Sequence, residues 1–224
     1  MRKQFLVCLA VLALCLTAAV AQDSGKAAPP AAAAANLTKL PAPDTSGGMS
    51  LTKALAARRS VRSFLPTPLT KAELSQILWA AQGITDSQGH RTAPSASAQY
   101  YLHVYVTSAD GIFEYLPGGH QLKKLSSQDV RSKLSGQQAV QQAPTVLILT
   151  ADIGRAITKY GPDKGPRVSA LEAGHATQNV LLQAAALGLG ALSAAGIDPQ
   201  EVHKLASLPA QETVIYLIPV GHPK

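Results

Sequence analysis

The residues best equipped for chemistry are Arg58, Arg59, Ser60, Val61 and Arg62, which place three arginines in five positions at the end of a predicted helix. Guanidinium groups are permanently charged and fork-shaped, so such a cluster suits a phosphate gripped by paired hydrogen bonds. An arginine-rich turn is also an ordinary solvated surface, and residue type alone leaves both readings open. Downstream stand the fragment Arg91-Thr92-Ala93-Pro94-Ser95 and a long helix carrying Glu172, Gln178 and Asn179 among Ala and Leu. Polar groups in such a setting are most simply satisfied structural groups.

Several other chemistries are excluded. Gly188-Leu189-Gly190 follows a helix instead of a strand and lacks a third glycine, so it is not a dinucleotide-binding turn. The six histidines show no i, i+4 pair with an acid between them, which disfavours zinc, and no metal site is expected. No G-x-S-x-G string is present for a hydrolase. Both cysteines, Cys8 and Cys15, lie in the first 21 residues, so thiol chemistry and disulfides are not expected in the rest.

Several elements must position these residues. Leu51, Ala54, Leu55 and Arg58 give a short helix that delivers the arginines at its end. Thr70 to Glu73 forms a capping box, followed by Leu74, Ile77, Leu78 and Ala81 at helical spacing, with Gly83 as the stop. Tyr101 to Thr107 reads as a strand, and Gly111–Leu116 with Gln121–Leu125 as a hairpin around Pro117-Gly118-Gly119. Ser126 to Leu134 is predicted helical, and Thr145 to Thr150 is a buried strand. Arg167 to Leu187 reads as a central helix buried on nearly all sides and stopped by Gly188. Asp198 caps a further short helix, and Thr213 to Val220 closes the chain as a strand. Without a regular βαβ period the class is α+β, as a three-layer sandwich.

Residues 1–21 read as a secretory signal: Arg2 and Lys3, an apolar run from Phe5 to Leu16, then Ala19-Val20-Ala21. The apolar run is shorter than the roughly 18 residues of a spanning helix, so no stable membrane span is expected in the mature chain. Residues 22–48 are rich in Ala and Pro and read as a disordered tether, leaving 49–224 as one folded domain. The net charge of +7 falls by two, to +5, without Arg2 and Lys3. The basic residues form no stripe with interleaved aromatics, so nucleic-acid binding is disfavoured.

Taken in order, the strings ALAARRSVRSF, LSQILWAAQGIT, RTAPSASAQYYLHVYV, KYG, EAGHATQNVLLQAAALGLGA and YLIPVGHP resemble the FMN-dependent nitroreductase superfamily, most closely its SagB-type dehydrogenase branch. The resemblance implies FMN held non-covalently at the interface of an intertwined homodimer, with a mixed or antiparallel central sheet flanked by helices. It implies hydride and electron transfer through flavin N5 to or from a small organic substrate, with NAD(P)H as one possible donor. It assigns Arg58, Ser60 and Arg62, with Arg59 either joining them or pairing on the surface, to the FMN phosphate and ribityl chain. Pro94, Ser95 and Ala96 match the stretch beside the flavin ring, where Ser97 stands in place of the family's usual glycine. Gly188, Leu189, Gly190 and Ala191 match the segment whose N–H groups face the ring's carbonyl edge. Gln178 and Asn179 are candidates for hydrogen bonds near the cofactor or across the dimer, and His175 is expected to be structural. In SagB-type enzymes that aromatise thiazolines and oxazolines, a Lys-Tyr pair acts in proton abstraction, which makes Lys159 and Tyr160 the catalytic candidates. The alternatives are such a peptide azoline dehydrogenase, or a flavin- or ligand-binding protein without turnover.

Overall fold

A computed structural model describes residues 36–224. The signal expected over 1–21, both cysteines and residues 22–35 lie outside the described residues. Seven strands form one sheet: β1 (Leu37–Lys39), β2 (Leu102–Ser108), β3 (Gly111–Leu116), β4 (Gln121–Ser126), β5 (Thr145–Ala151), β6 (Gly190–Ala191) and β7 (Thr213–Gly221). Their order is β1-β4-β3-β2-β5-β7-β6, and each ladder is antiparallel. Among the described residues six α-helices accompany them: α1 (Leu51–Ala57), α2 (Lys71–Gln82), α3 (Gln138–Gln142), α4 (Ile153–Tyr160), α5 (Lys164–Ala186) and α6 (Pro199–Leu205).

Strand alternation builds two cores, one on each side of the sheet. Val104, Val106, Leu147, Leu149 and Ile218 face Ile77 and Leu78 of α2 and Ala173, Ala176 and Val180 of α5. Tyr105, Val146, Ile148 and Leu217 face the other way, toward Val140 of α3 and Val202 of α6. The result is the expected α+β three-layer sandwich. Thr70 Oγ1 accepts from Glu73 N at 3.2 Å while the Glu73 carboxylate accepts from Thr70 N at 2.7 Å, completing the predicted capping box of α2. Asp198 caps α6 through Gln200 N and Glu201 N.

Three expectations need correction. The disordered tether does not extend over 36–48. Here β1 pairs with β4, Leu40 is 5% exposed, and Asp44 N donates to Gln76 Oε1 at 2.9 Å. A hydrogen-bonded chain anchors this strap. Ser75 Oγ donates to the Pro41 carbonyl at 2.6 Å, so it accepts from His120 Nε2 at 2.7 Å, and His120 Nδ1 accepts from Tyr115 OH at 2.9 Å. Second, Ser126–Leu134 is not an α-helix; it holds only a 3₁₀ turn at Arg131–Lys133. Side chains of Ser126 and Asp129 accept from backbone N–H groups two residues on, which competes with helix formation. Third, α5 is buried on one face only, through Ser169, Glu172, Ala173, Ala176, Thr177, Val180, Leu181 and Ala184. Its other face is open in the single chain, and Leu171 is 52% exposed.

Candidate functional site

Helix α1 ends at Arg58, whose N–H bonds to the Ala54 carbonyl. The chain then runs extended beside β6: Ser60 bridges Ala191, and Val61 N donates to the Ala191 carbonyl at 3.1 Å. Arg59 turns back, its Nη1 donating to the carbonyls of Ala56 at 3.0 Å and Arg58 at 2.7 Å, so it caps the helix. Arg58 is half-buried and Arg62 exposed. Neither pairs with a carboxylate among the described residues, and Arg62 makes only a long 3.5 Å contact to the Ser60 carbonyl. Two guanidiniums are thus left able to meet an anion.

The glycine-bearing segment lies directly against Ser60 and Val61, which stand between Arg58 and Arg62 in the chain. A Cβ on Gly190 would sit 2.6 Å from Val61 Cγ1, so glycine permits this approach. Gly188, at φ +71°, ends α5 in a Schellman motif: its N–H bonds to Ala185 O and the Leu189 N–H to Ala184 O. Those two N–H groups are therefore engaged in closing the helix instead of facing outward. The role left to 188–191 is close approach at Gly190 and Ala191.

A second group forms around the turn at 94–98. Ser95 Oγ donates to Glu172 Oε2 at 2.5 Å and accepts from Tyr100 N at 2.8 Å. Pro94 is exposed, while Ser95 and Ala96 are half-buried. Ser97 keeps the left-handed conformation expected of the glycine it replaces (φ 52°), and Ala98 and Tyr100 adopt it too, at φ 50° and 51°. Three non-glycine residues with positive φ in so short a stretch store strain, the kind that clusters at functional sites. Lys159 and Tyr160 lie in the last turn of α4, not in a loop, and Gly161 at φ +84° closes it. Tyr160 OH donates to Ser97 Oγ at 2.9 Å, so the pair is joined to this turn.

Burial tunes this group. Glu172 is 2% exposed, and loss of solvent raises its carboxyl pKa above the ordinary 4.5, against the opposing bonds from Ser95 and the backbone of Tyr101 and Leu102. The Tyr101 hydroxyl is buried without a hydrogen-bond partner among the described residues, and its pKa is raised by burial first and by Tyr160 second. Asn179 Nδ2 donates to the Thr92 carbonyl at 3.2 Å and so pins the approach to the turn, while Gln178 and His175 face outward on the open side of α5.

The two groups sit toward opposite ends of one helix. Ser95 is tied to α5 at Glu172 and the arginine segment meets the chain just beyond Ala186, roughly 20 Å apart along the axis at about 1.5 Å per residue. Tyr101 joins the group around the turn only through packing, since its residue type and place in the sequence give no signal of it. No group of His, Cys, Asp and Glu able to hold a metal occurs among the described residues, and no helix there is long and apolar enough to cross a membrane.

Comparison with known proteins agrees with this layout. The sequence profile of the Nitroreductase family matches residues 55–222. A provisionally named nitroreductase of Methanocaldococcus jannaschii is 38% identical over 183 residues, covering 77% of this chain and 91% of that protein. The FMN reductase [NAD(P)H] of Bacillus subtilis is 27% identical over 76% of this chain, which spans 65% of that protein's length. The crystal structure of a provisionally named nitroreductase from Ralstonia eutropha superposes with a TM-score of 0.80 at 34% identity, covering 84% of this chain and 90% of that one. An arginine segment against a close-approach glycine, a strained turn on a buried glutamate, and these likenesses converge: the chain belongs to the nitroreductase family.

Proposed function

We propose that this protein is an FMN-dependent oxidoreductase of the nitroreductase type, working as a homodimer on a small organic substrate. The observation that carries the reading is the packing of Ser60 and Val61 on Ala191 and Gly190, flanked in the chain by Arg58 and Arg62, neither of which pairs with a carboxylate among the described residues. The residues fit FMN: Arg58, Ser60 and Arg62 would hold the phosphate and ribityl chain, and Pro94 to Ala96 would lie beside the ring. Bound FMN would supply hydride exchange at N5. Ser95 is oriented by Glu172, and Tyr160 by Ser97, so the turn meets the cofactor with little freedom.

The homodimer reading is supported by the separation of the two groups along α5. Pairing this helix with a second copy across a two-fold axis would bring the arginine end of one chain toward the turn of the other. Leu171, His175, Gln178 and Leu182 line up on its open face at helical spacing and would be covered in that pairing. NAD(P)H is proposed as donor on the name of the Bacillus relative. Export through the signal at 1–21 is proposed from the sequence, and it sets a difficulty for that donor, because nicotinamide coenzymes are not expected in abundance outside the cytoplasm.

Within this reading, closeness to the SagB-type branch is supported by the KYG string and by the contact of Tyr160 with Ser97. A base at Lys159 or Tyr160 would remove the substrate proton, as dehydrogenation of an azoline requires. The test is the visible spectrum of the purified protein after FMN reconstitution, then stopped-flow reduction and reoxidation. No flavin bound sinks the proposal; flavin bound without cycling leaves a binding protein.

A further inference from the structure

Lined by Gln99 and Tyr100, just after the 94–98 turn, lies a cavity of about 380 Å³ that contains none of Arg58, Ser60, Arg62 or Pro94 to Ala96 in its wall. Arg91, Arg155 and Gln82 line it, with Tyr100, Leu102 and Leu116 among the walls. The Arg91 guanidinium stacks on the Tyr100 ring at 4.6 Å, and that of Arg155 on the Tyr101 ring at 5.4 Å. Arg91 Nη1 donates to Gln82 Oε1 at 2.8 Å, and Arg155 Nη2 to the Gln99 carbonyl at 3.2 Å. Neither arginine has a carboxylate at salt-bridge distance among the described residues. The bond from Arg91 fixes the Gln82 amide, leaving its Nε2 buried with no acceptor among the described residues, the side chain being only 1% exposed. Glu114, the one carboxylate on the cavity wall, is 3.5 Å from Lys123.

Two guanidiniums without a carboxylate partner and an amide Nε2 without an acceptor, among the described residues, line one cavity, a donor set suited to an anion. We infer that this cavity binds a small organic carboxylate, gripped by Arg91 and Arg155 and by the Gln82 amide, with its apolar body against Leu102 and Leu116. A planar two-oxygen group matches guanidinium forks, which are already oriented by stacking. The volume is at the small end of ligand pockets and suits one ring or a short chain. Burial works most against the charge on Arg91, Glu172 and then Tyr100 and Tyr115 partly offset it, and the neighbouring Arg155 adds a smaller cost; an anion in the cavity would relieve what remains.

The experiment is calorimetric titration of the purified protein with benzoate, benzamide and inorganic phosphate. Benzoate is expected to bind saturably and benzamide not. Arg91→Gln and Arg155→Gln should each weaken benzoate by about tenfold or more, the loss of one charge-assisted hydrogen bond. Arg155 lies on an exposed turn of α4, so Arg155→Gln decides the matter if Arg91→Gln does not fold. FMN affinity should be unchanged in Arg155→Gln, and the benzoate result stands whether or not FMN binds. Equal binding of benzamide, phosphate binding in place of benzoate, or unaltered benzoate affinity in Arg155→Gln overturns the inference.

Discussion

The Ser95 hydroxyl donates a hydrogen bond to Glu172 Oε2 at 2.5 Å, joining the turn proposed to flank the cofactor to a buried acid on the central helix. The acid is held in place by the fold, and its protonation is set by burial. Because Glu172 has a raised pKa when folded, the native state holds its proton more tightly than the unfolded chain does. Its contribution to stability is therefore full below the ordinary 4.5 and is lost as pH rises through the folded value.

Glu172→Gln removes this titration while keeping an oxygen for Ser95. Relative to the variant, the native protein should lose stability as pH rises from about 4.5 toward neutral. Urea unfolding of both across that range measures it. A difference independent of pH would mean that Glu172 titrates normally.

Arg58→Ala and Arg62→Ala should each weaken FMN binding by about ten- to a hundredfold, since each removes a charge-assisted donor. Arg59→Ala should leave affinity nearly unchanged and instead loosen the end of α1, because its guanidinium is spent on the Ala56 and Arg58 carbonyls. Fluorescence titration separates them; equal losses in all three would remove the distinction.

Gly190→Ala should destabilise by about 1–3 kcal/mol, as overpacking does, by driving a methyl into Val61. Val61→Ala in the same chain should recover much of that loss. Thermal unfolding of the four-member cycle reads the coupling, and additive effects would contradict direct contact.

Ala98→Gly relieves a left-handed conformation that costs about 1–2 kcal/mol with a Cβ, against about 0.4–1 kcal/mol of added chain entropy. The net expectation is a small rise in stability, seen as a higher melting temperature. A lower one would show that the Ala98 methyl contributes packing that outweighs the strain.

Leu171→Glu places a charge on the open face of α5. If the homodimer forms there, light scattering should show dissociation and FMN affinity should fall with it. A variant that stays dimeric would place the interface elsewhere.

The local devices were readable in the sequence because neighbouring residues make them: the Thr70–Glu73 box, the Asp198 cap, the Pro117–Gly119 hairpin and the stop at Gly188. Strand-forming composition likewise marked β2, β3, β4, β5 and β7 but not the short β1 and β6, and the ordered motifs pointed to the family. Residues 36–48 were misread because composition records no partner: their order comes from β4 and from a chain of bonds through Ser75 and His120, 34 and more positions away. Arg59 and Arg62 look alike in sequence, and only the fold turns one onto a helix end while leaving the other open. The same holds for Tyr160 against Ser97, 63 positions apart. Residue types determined which chemistry this chain could carry; tertiary structure decided which of those groups were already satisfied, because a hydrogen bond between distant segments exists only once both are packed.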